Sequence, residues 1–126
     1  MQTQKFSLRR RLKSFHYAFA GIGKMLRTEH NASIHLFAAI ISLIAAIFFK
    51  MTARELSLLV FAIALVWITE MINTCIEKIM DFISLVDHPQ IQFIKDVAAG
   101  AVLIAAFAAV LIGLLIFTPK ILCLWK

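Results

Sequence analysis

Glu70, Asn73, Thr74, Glu77 and Asp81 lie within one short stretch of the chain. At 100° per residue they share one face of a helix. Acid, amide and hydroxyl therefore form a single stripe, with Glu70 and Glu77 two turns and about 10 Å apart along the axis. The opposite side, Ile68, Ile72, Ile76, Ile79 and Met80, suits packing. The stripe begins at the end of an apolar run. A carboxylate at the centre of a bilayer costs roughly 2.5 kcal/mol or more, so acids placed at a membrane boundary ask for a chemical role. Glu29, Asn31 and Asp96 extend the set, and Lys95 and Arg10 add cations. Hard oxygen ligands of this kind suit Mg²⁺, which commonly bridges one or two carboxylates to nucleotide phosphates. Phosphoryl transfer needs a metal, cations on the phosphates and a base beside the attacking hydroxyl. This set can supply all three, with Glu70 deepest and nearest a lipid hydroxyl, and Glu77 further out and placed for metal. Spacing alone leaves two other readings open: ion transport by buried acids, and polar contacts that only hold helices together.

The elements that position these residues are helical. Leu8, Leu12, Phe15, Phe19, Ile22 and Leu26 repeat at alternating steps of four and three, with Arg9, Arg10, Lys13 and Lys24 on the other side. This predicts a basic amphipathic helix over about 5–28, of the type that lies on an anionic leaflet. Three apolar segments follow, at about 32–49, 56–72 and 97–117, each long enough or nearly long enough to span a bilayer. Thr52 is a candidate helix N-cap in the short 50–55 connection. Asp87-His88-Pro89 reads as a turn, and Pro119 is expected to end the third span. The expected fold is an all-α membrane protein: three transmembrane helices plus an N-terminal surface helix, forming one domain over residues 1–126. The third span is rich in small residues (Ala98-Ala99-Gly100-Ala101, Ala105-Ala106, Ala108-Ala109), which permit close helix approach in lipid. Three spans are too few to enclose a deep pocket, which favours an oligomer.

The totals agree with a membrane protein. Of 126 residues, 62% are hydrophobic and only 16% charged, and the mean hydropathy is +0.90. A soluble domain this small cannot hide that much apolar surface. Nine of the 13 Lys and Arg residues fall in the N-terminal segment and the 73–96 connection, and four elsewhere. By the positive-inside rule the N-terminus and the 73–96 connection are cytoplasmic. Six of the seven acids, all but Glu55, then face the cytoplasm too. The two cysteines, Cys75 and Cys123, form no C-x-x-C or zinc pattern, and the four histidines form no ligand set. Neither a P-loop nor a G-x-G-x-x-G fingerprint is present. The basic face adjoins membrane spans rather than a soluble domain, so nucleic acid is not an expected partner.

Glu70-x-x-Asn73-Thr74-x-Ile76-Glu77-x-x-x-Asp81, followed by Lys95-Asp96-x-Ala98-Ala99-Gly100-Ala101-Val102, resembles the signature of the small bacterial diacylglycerol kinase/undecaprenol kinase family. Glu29, Tyr17 and Gly21 also fall where the family pattern places them. The resemblance runs from about Leu8 to Pro119. It departs at Cys75, where the family usually has Ala or another small residue. It implies a homotrimer with sites between subunits, in the inner membrane, acting on ATP and a membrane lipid alcohol. Glu70 would be the catalytic base, and Glu29 and Glu77 would hold the metal on ATP. Lys95 and Asp96 would contact the nucleotide, and Arg10 and Tyr17 would approach it from the surface helix. Val86-Asp87-His88 would border the adenine. Asn73 would support the base, with Asn31 and Asp81 as further supporting residues. The Glu29-x-Asn31-x-x-x-His35 pattern resembles the undecaprenol kinase branch, which makes undecaprenol the first expected acceptor and diacylglycerol the second.

Overall fold

The computed structural model describes residues 7–84, 86 and 88–125. They form four helices: α1 (Leu8–Thr28), α2 (His30–Phe48), α3 (Ala53–Ile83) and α4 (Pro89–Leu124). Residues 5 and 6 of the expected surface helix lie outside the described residues. Among the described residues there is no strand. Helices α2, α3 and α4 are each long and apolar enough to cross a membrane. The described residues are therefore all helical, with three helices whose length and composition suit a membrane.

Local sequence explains each junction. Glu29 is extended (φ −108°, ψ 114°) and separates α1 from α2. Its N–H closes α1 on Met25 O at 2.8 Å, while Ser33 Oγ in the first turn of α2 reaches back to Leu26 O at 3.1 Å. The end of α2 is a Schellman motif. Met51 N–H donates to Ala46 O and Lys50 N–H to Ile47 O, both at 3.1 Å. Lys50 takes the left-handed position (φ 48°) that glycine usually fills. Thr52 then caps α3 through a full capping box: its N–H donates to Glu55 Oε2 at 2.7 Å, and Glu55 N–H donates to Thr52 Oγ1 at 3.4 Å. His88 caps α4, with Nδ1 accepting from Gln90 N–H at 3.2 Å, and Pro89 occupies the first helical turn.

The helices outrun the apolar segments that revealed them. The 31 residues of α3 span about 46 Å at the helical rise, beyond the ~30 Å of a hydrocarbon core. Hydropathy marks the lipid-facing part, whereas the caps set the ends. Pro119 does not end its helix: α4 continues to Leu124. Proline removes one backbone hydrogen bond, but the next residue, Lys120, pairs with Glu55 at 3.0 Å and ties the last turn of α4 to the first turn of α3.

Helix α3 packs mainly on α4, with α2 on α3 and α1 on α2. The α3–α4 hairpin is pinned at both ends, by Glu55–Lys120 and by Asp81–Lys95 at 2.7 Å. These pairs leave 25 residues of α3 and 24 of α4 between them, so the helices run side by side without slack. The core is thin. It consists of Ala32, Ala39 and Ala46 on α2, Leu59, Ala62 and Val66 on α3, and Ala98, Ala105 and Ile116 on α4, with Met25 from α1. The three α2 alanines are seven residues apart and let α2 approach α3 closely. Large apolar side chains such as Ile47, Leu103 and Phe107 point outward, as suits contact with lipid or other membrane helices.

Candidate functional site

The polar stripe of α3 lies against α2 and the α1–α2 joint. Glu70 and Asn73 are the two buried polar side chains among the described residues, 4% and 8% exposed. Glu77 is half-buried and Asp81 is exposed. Asn73 Nδ2 donates to Glu77 Oε1 at 3.0 Å, one turn along the helix. This fixes the amide orientation and leaves Asn73 Oδ1 buried without a hydrogen-bond partner among the described residues. Opposite Glu70, His35 Nε2 lies 3.9 Å from Glu70 Oε2.

Glu29 reaches the stripe from the extended joint between α1 and α2. Its Oε1 accepts from Thr28 Oγ1 at 3.2 Å and pairs with Lys78 Nζ at 3.0 Å. Lys78 follows Glu77, so this pair draws Glu29 to the same stretch of α3. Glu29, Glu70 and Glu77 thus converge on one stretch of α3, although Glu29 is distant from the other two in the sequence.

At the outer end of the hairpin, Lys95 Nζ binds Asp81 Oδ1 at 2.7 Å. A cavity of about 390 Å³ opens there, lined by Asp81, Ser84, Val86, His88, Gln92 and Lys95. Four of these (Asp81, Val86, His88 and Lys95) are residues that the resemblance assigns to the nucleotide or to its support. Asp87 lies outside the described residues. Asp96 accepts from Gln92 Nε2 at 3.3 Å. A second cavity of about 400 Å³ lies between α3 and α4, walled by Ile72, Ile76, Phe93 and Ile94, with Thr69 and Asn73 as its polar members.

Other expected residues stand apart from this ladder. Tyr17 is exposed on α1 and contacts that helix's own Lys13 and His16, with the Lys13 ammonium 6.0 Å from the ring centre. Arg10 sits in the exposed first turn of α1. Asn31 is exposed in the first turn of α2, without a side-chain hydrogen bond among the described residues.

The donor set fits magnesium held mostly by phosphate. Among the described residues, no three His, Cys, Asp or Glu side chains gather as a complete ligand cage. Mg²⁺ bound with a nucleotide needs only one or two protein carboxylates; Glu29 would have to exchange Lys78 for the ion, and Glu77 would keep its Asn73 bond at one oxygen and offer the other. Two residues of the site were not singled out by spacing. Lys78 counter-charges Glu29, and His35 faces Glu70. Each bridges helices, so no local periodicity announces the contact.

Comparison with known proteins bears on this arrangement. The prokaryotic diacylglycerol kinase family matches residues 16–117. The chain is 39% identical over 114 residues to the undecaprenol kinase of Bacillus subtilis, covering 90% of this chain and 93% of that protein. It is 37% identical over 114 residues to the diacylglycerol kinase of Synechocystis sp., covering 90% of this chain and 65% of that longer protein. Both relatives carry the names of lipid kinases. With its three long apolar helices and the acid ladder of α3, the chain belongs to the prokaryotic diacylglycerol kinase family.

Proposed function

We propose that this protein is a lipid kinase of the bacterial cytoplasmic membrane. It transfers the γ-phosphoryl group of ATP to a lipid alcohol, with undecaprenol as acceptor and diacylglycerol as the alternative. The observation that supports this best is the order of groups along α3. Buried Glu70 stands deepest, the Asn73–Glu77 pair with Glu29 comes next, and the Asp81–Lys95 cleft stands outermost. That order matches a lipid hydroxyl in the membrane and a nucleotide arriving from water. Glu70 takes the proton of the lipid hydroxyl as its oxygen bonds to the γ-phosphorus, and the bond to the bridging oxygen of ADP breaks. Glu29 and Glu77 hold Mg²⁺, which when bound neutralises charge on the β- and γ-phosphates. Lys95 contacts the phosphates and Asp96 the nucleotide, while Val86, Asp87 and His88 border the base. Arg10 and Tyr17 close over the nucleotide from α1, which lies along the cytoplasmic leaflet. Asn73 holds Glu77 in place, and Asn31 and Asp81 support the surrounding shell.

The N-terminus and the site face the cytoplasm on this reading, as the Lys and Arg distribution requires. The assembly is a homotrimer, which covers the outward apolar faces and completes sites that a thin three-span monomer leaves open.

Undecaprenol is preferred because the Bacillus subtilis undecaprenol kinase and this chain align over nearly the whole of both. Purified protein given γ-labelled ATP, Mg²⁺ and either undecaprenol or diacylglycerol tests the reading. Labelled undecaprenyl phosphate is the expected product. Label in neither lipid refutes the kinase reading, and label only in phosphatidic acid reverses the order of acceptors. In Glu70→Gln, turnover is expected to fall roughly 10²- to 10⁴-fold, the range of a positioned general base.

A further inference from the structure

Glu70 is the most deeply buried acid of the stripe, and a buried carboxylate requires polar partners. Its polar neighbours Thr69 and Asn73 on α3 are committed elsewhere. Thr69 Oγ1 lies 3.0 Å from Leu65 O and 2.9 Å from Val66 O. Asn73 Nδ2 donates to Glu77. The polar group that faces Glu70 comes from α2. His35 falls on the same α2 face as the buried Ala32 and Ala39, three residues after one and four before the other. Ser42, the next polar residue of that face, donates to Ala38 O of its own helix at 2.8 Å. His35 is thus the side chain that this seam presents to the acid.

The 3.9 Å separation of His35 Nε2 and Glu70 Oε2 exceeds an N–H···O hydrogen bond, whose usual length is about 2.9 Å. It is also shorter than the span of about 4.5 Å that a bridging water needs. A movement of about 1 Å closes it directly. Contacts of a general base are commonly long without ligands and tighten when substrate is bound. A donor at Nε2 that engages Oε2 leaves Oε1 to receive the proton of the lipid hydroxyl and fixes the direction in which it points.

We propose that His35 is a positioning residue for the reaction: it donates from Nε2 to Glu70 Oε2 and aims the other carboxylate oxygen at the acceptor hydroxyl. The inference rests on the reading of Glu70 as the base. His35 acts through Glu70 and touches neither nucleotide nor phosphate.

The experiment compares His35→Ala, His35→Gln and Glu70→Gln in the full-length protein, with undecaprenol or diacylglycerol, whichever the wild type phosphorylates. Glutamine places an amide N–H near the position of Nε2 and keeps the donor. His35→Ala is expected to lower kcat roughly 10- to 100-fold, the effect of losing a hydrogen bond to a charged group, with the KM for ATP unchanged. His35→Gln is expected to restore most of that loss. In the Glu70→Gln background, His35→Ala should cost nothing further. Wild-type kcat in His35→Ala overturns the proposal. So does an equal loss in His35→Gln, or a rise in the KM for ATP that accounts for the loss. Full turnover by Glu70→Gln overturns the base assignment itself, which separates that failure from failure of the histidine's role.

Discussion

Replacing Asn73 with leucine separates what a residue does for stability from what it does for the reaction. The side chain is 8% exposed, donates to Glu77 Oε1 at 3.0 Å and leaves Oδ1 buried without a hydrogen-bond partner among the described residues. Loss of a hydrogen bond to a charged acceptor costs about 1.5–3 kcal/mol. Removal of a buried, unsatisfied carbonyl oxygen returns about 1–3 kcal/mol, and leucine keeps the branched shape, with its extra volume taken up by the cavity of about 400 Å³ that Asn73 lines. The two effects nearly cancel, so stability should change by no more than about 1 kcal/mol. The reaction has no such compensation. Glu77 loses the group that orients it, and kcat should fall roughly 10-fold or more. Thermal unfolding in detergent, followed by circular dichroism, measures the first quantity, and transfer of label to lipid measures the second. A melting temperature far below wild type would show that Asn73 serves the fold. Wild-type turnover would show that the Asn73–Glu77 bond has no part in the chemistry.

Two further outcomes follow from the ion pairs. Lys78 is 61% exposed at its side chain and holds Glu29 at 3.0 Å, so Lys78→Met should leave the melting temperature close to wild type. It should also lower the Mg²⁺ concentration needed for half-maximal turnover, because Glu29 no longer has a competing cation; an unchanged or raised requirement in a magnesium titration counts against Glu29 as a metal ligand. Glu55→Ala removes both the capping box and the Lys120 pair and should destabilise the start of α3. The melting temperature should drop while kcat stays at the wild-type level, and a large loss of turnover would mean that the far end of the hairpin is coupled to the site.

Local signals in the sequence were sufficient where the chemistry is local. The face shared by Glu70, Asn73, Glu77 and Asp81 follows from helical spacing alone, and the Asn73–Glu77 bond is a one-turn contact. Thr52 is an expected N-cap, and the structure adds Glu55 as the other half of a full capping box. His88-Pro89 reads as a turn and becomes the cap and first turn of α4. The failures are of another kind. Hydropathy finds where a helix meets lipid but not where it stops: α3 runs on through the polar stripe as its spacing implies, whereas α4 starts well before its apolar segment and continues past Pro119. Pro119 is a helix breaker by propensity, yet Lys120 is held by an acid more than sixty residues upstream. The contacts of Glu29 with Lys78 and of His35 with Glu70 depend on how α2 crosses α3, which no periodicity in either helix specifies.

The two ion pairs that close the α3–α4 hairpin also set a depth gauge. A ratchet of one helix past the other by a single turn, about 5.4 Å, would have to rupture Glu55–Lys120 and Asp81–Lys95 together. The level at which Glu70 sits is therefore not adjustable by sliding. On the proposed reading, a lipid alcohol would have to bring its hydroxyl to that height, so the elevation of its head group would count in the choice of acceptor beside the shape of its tail.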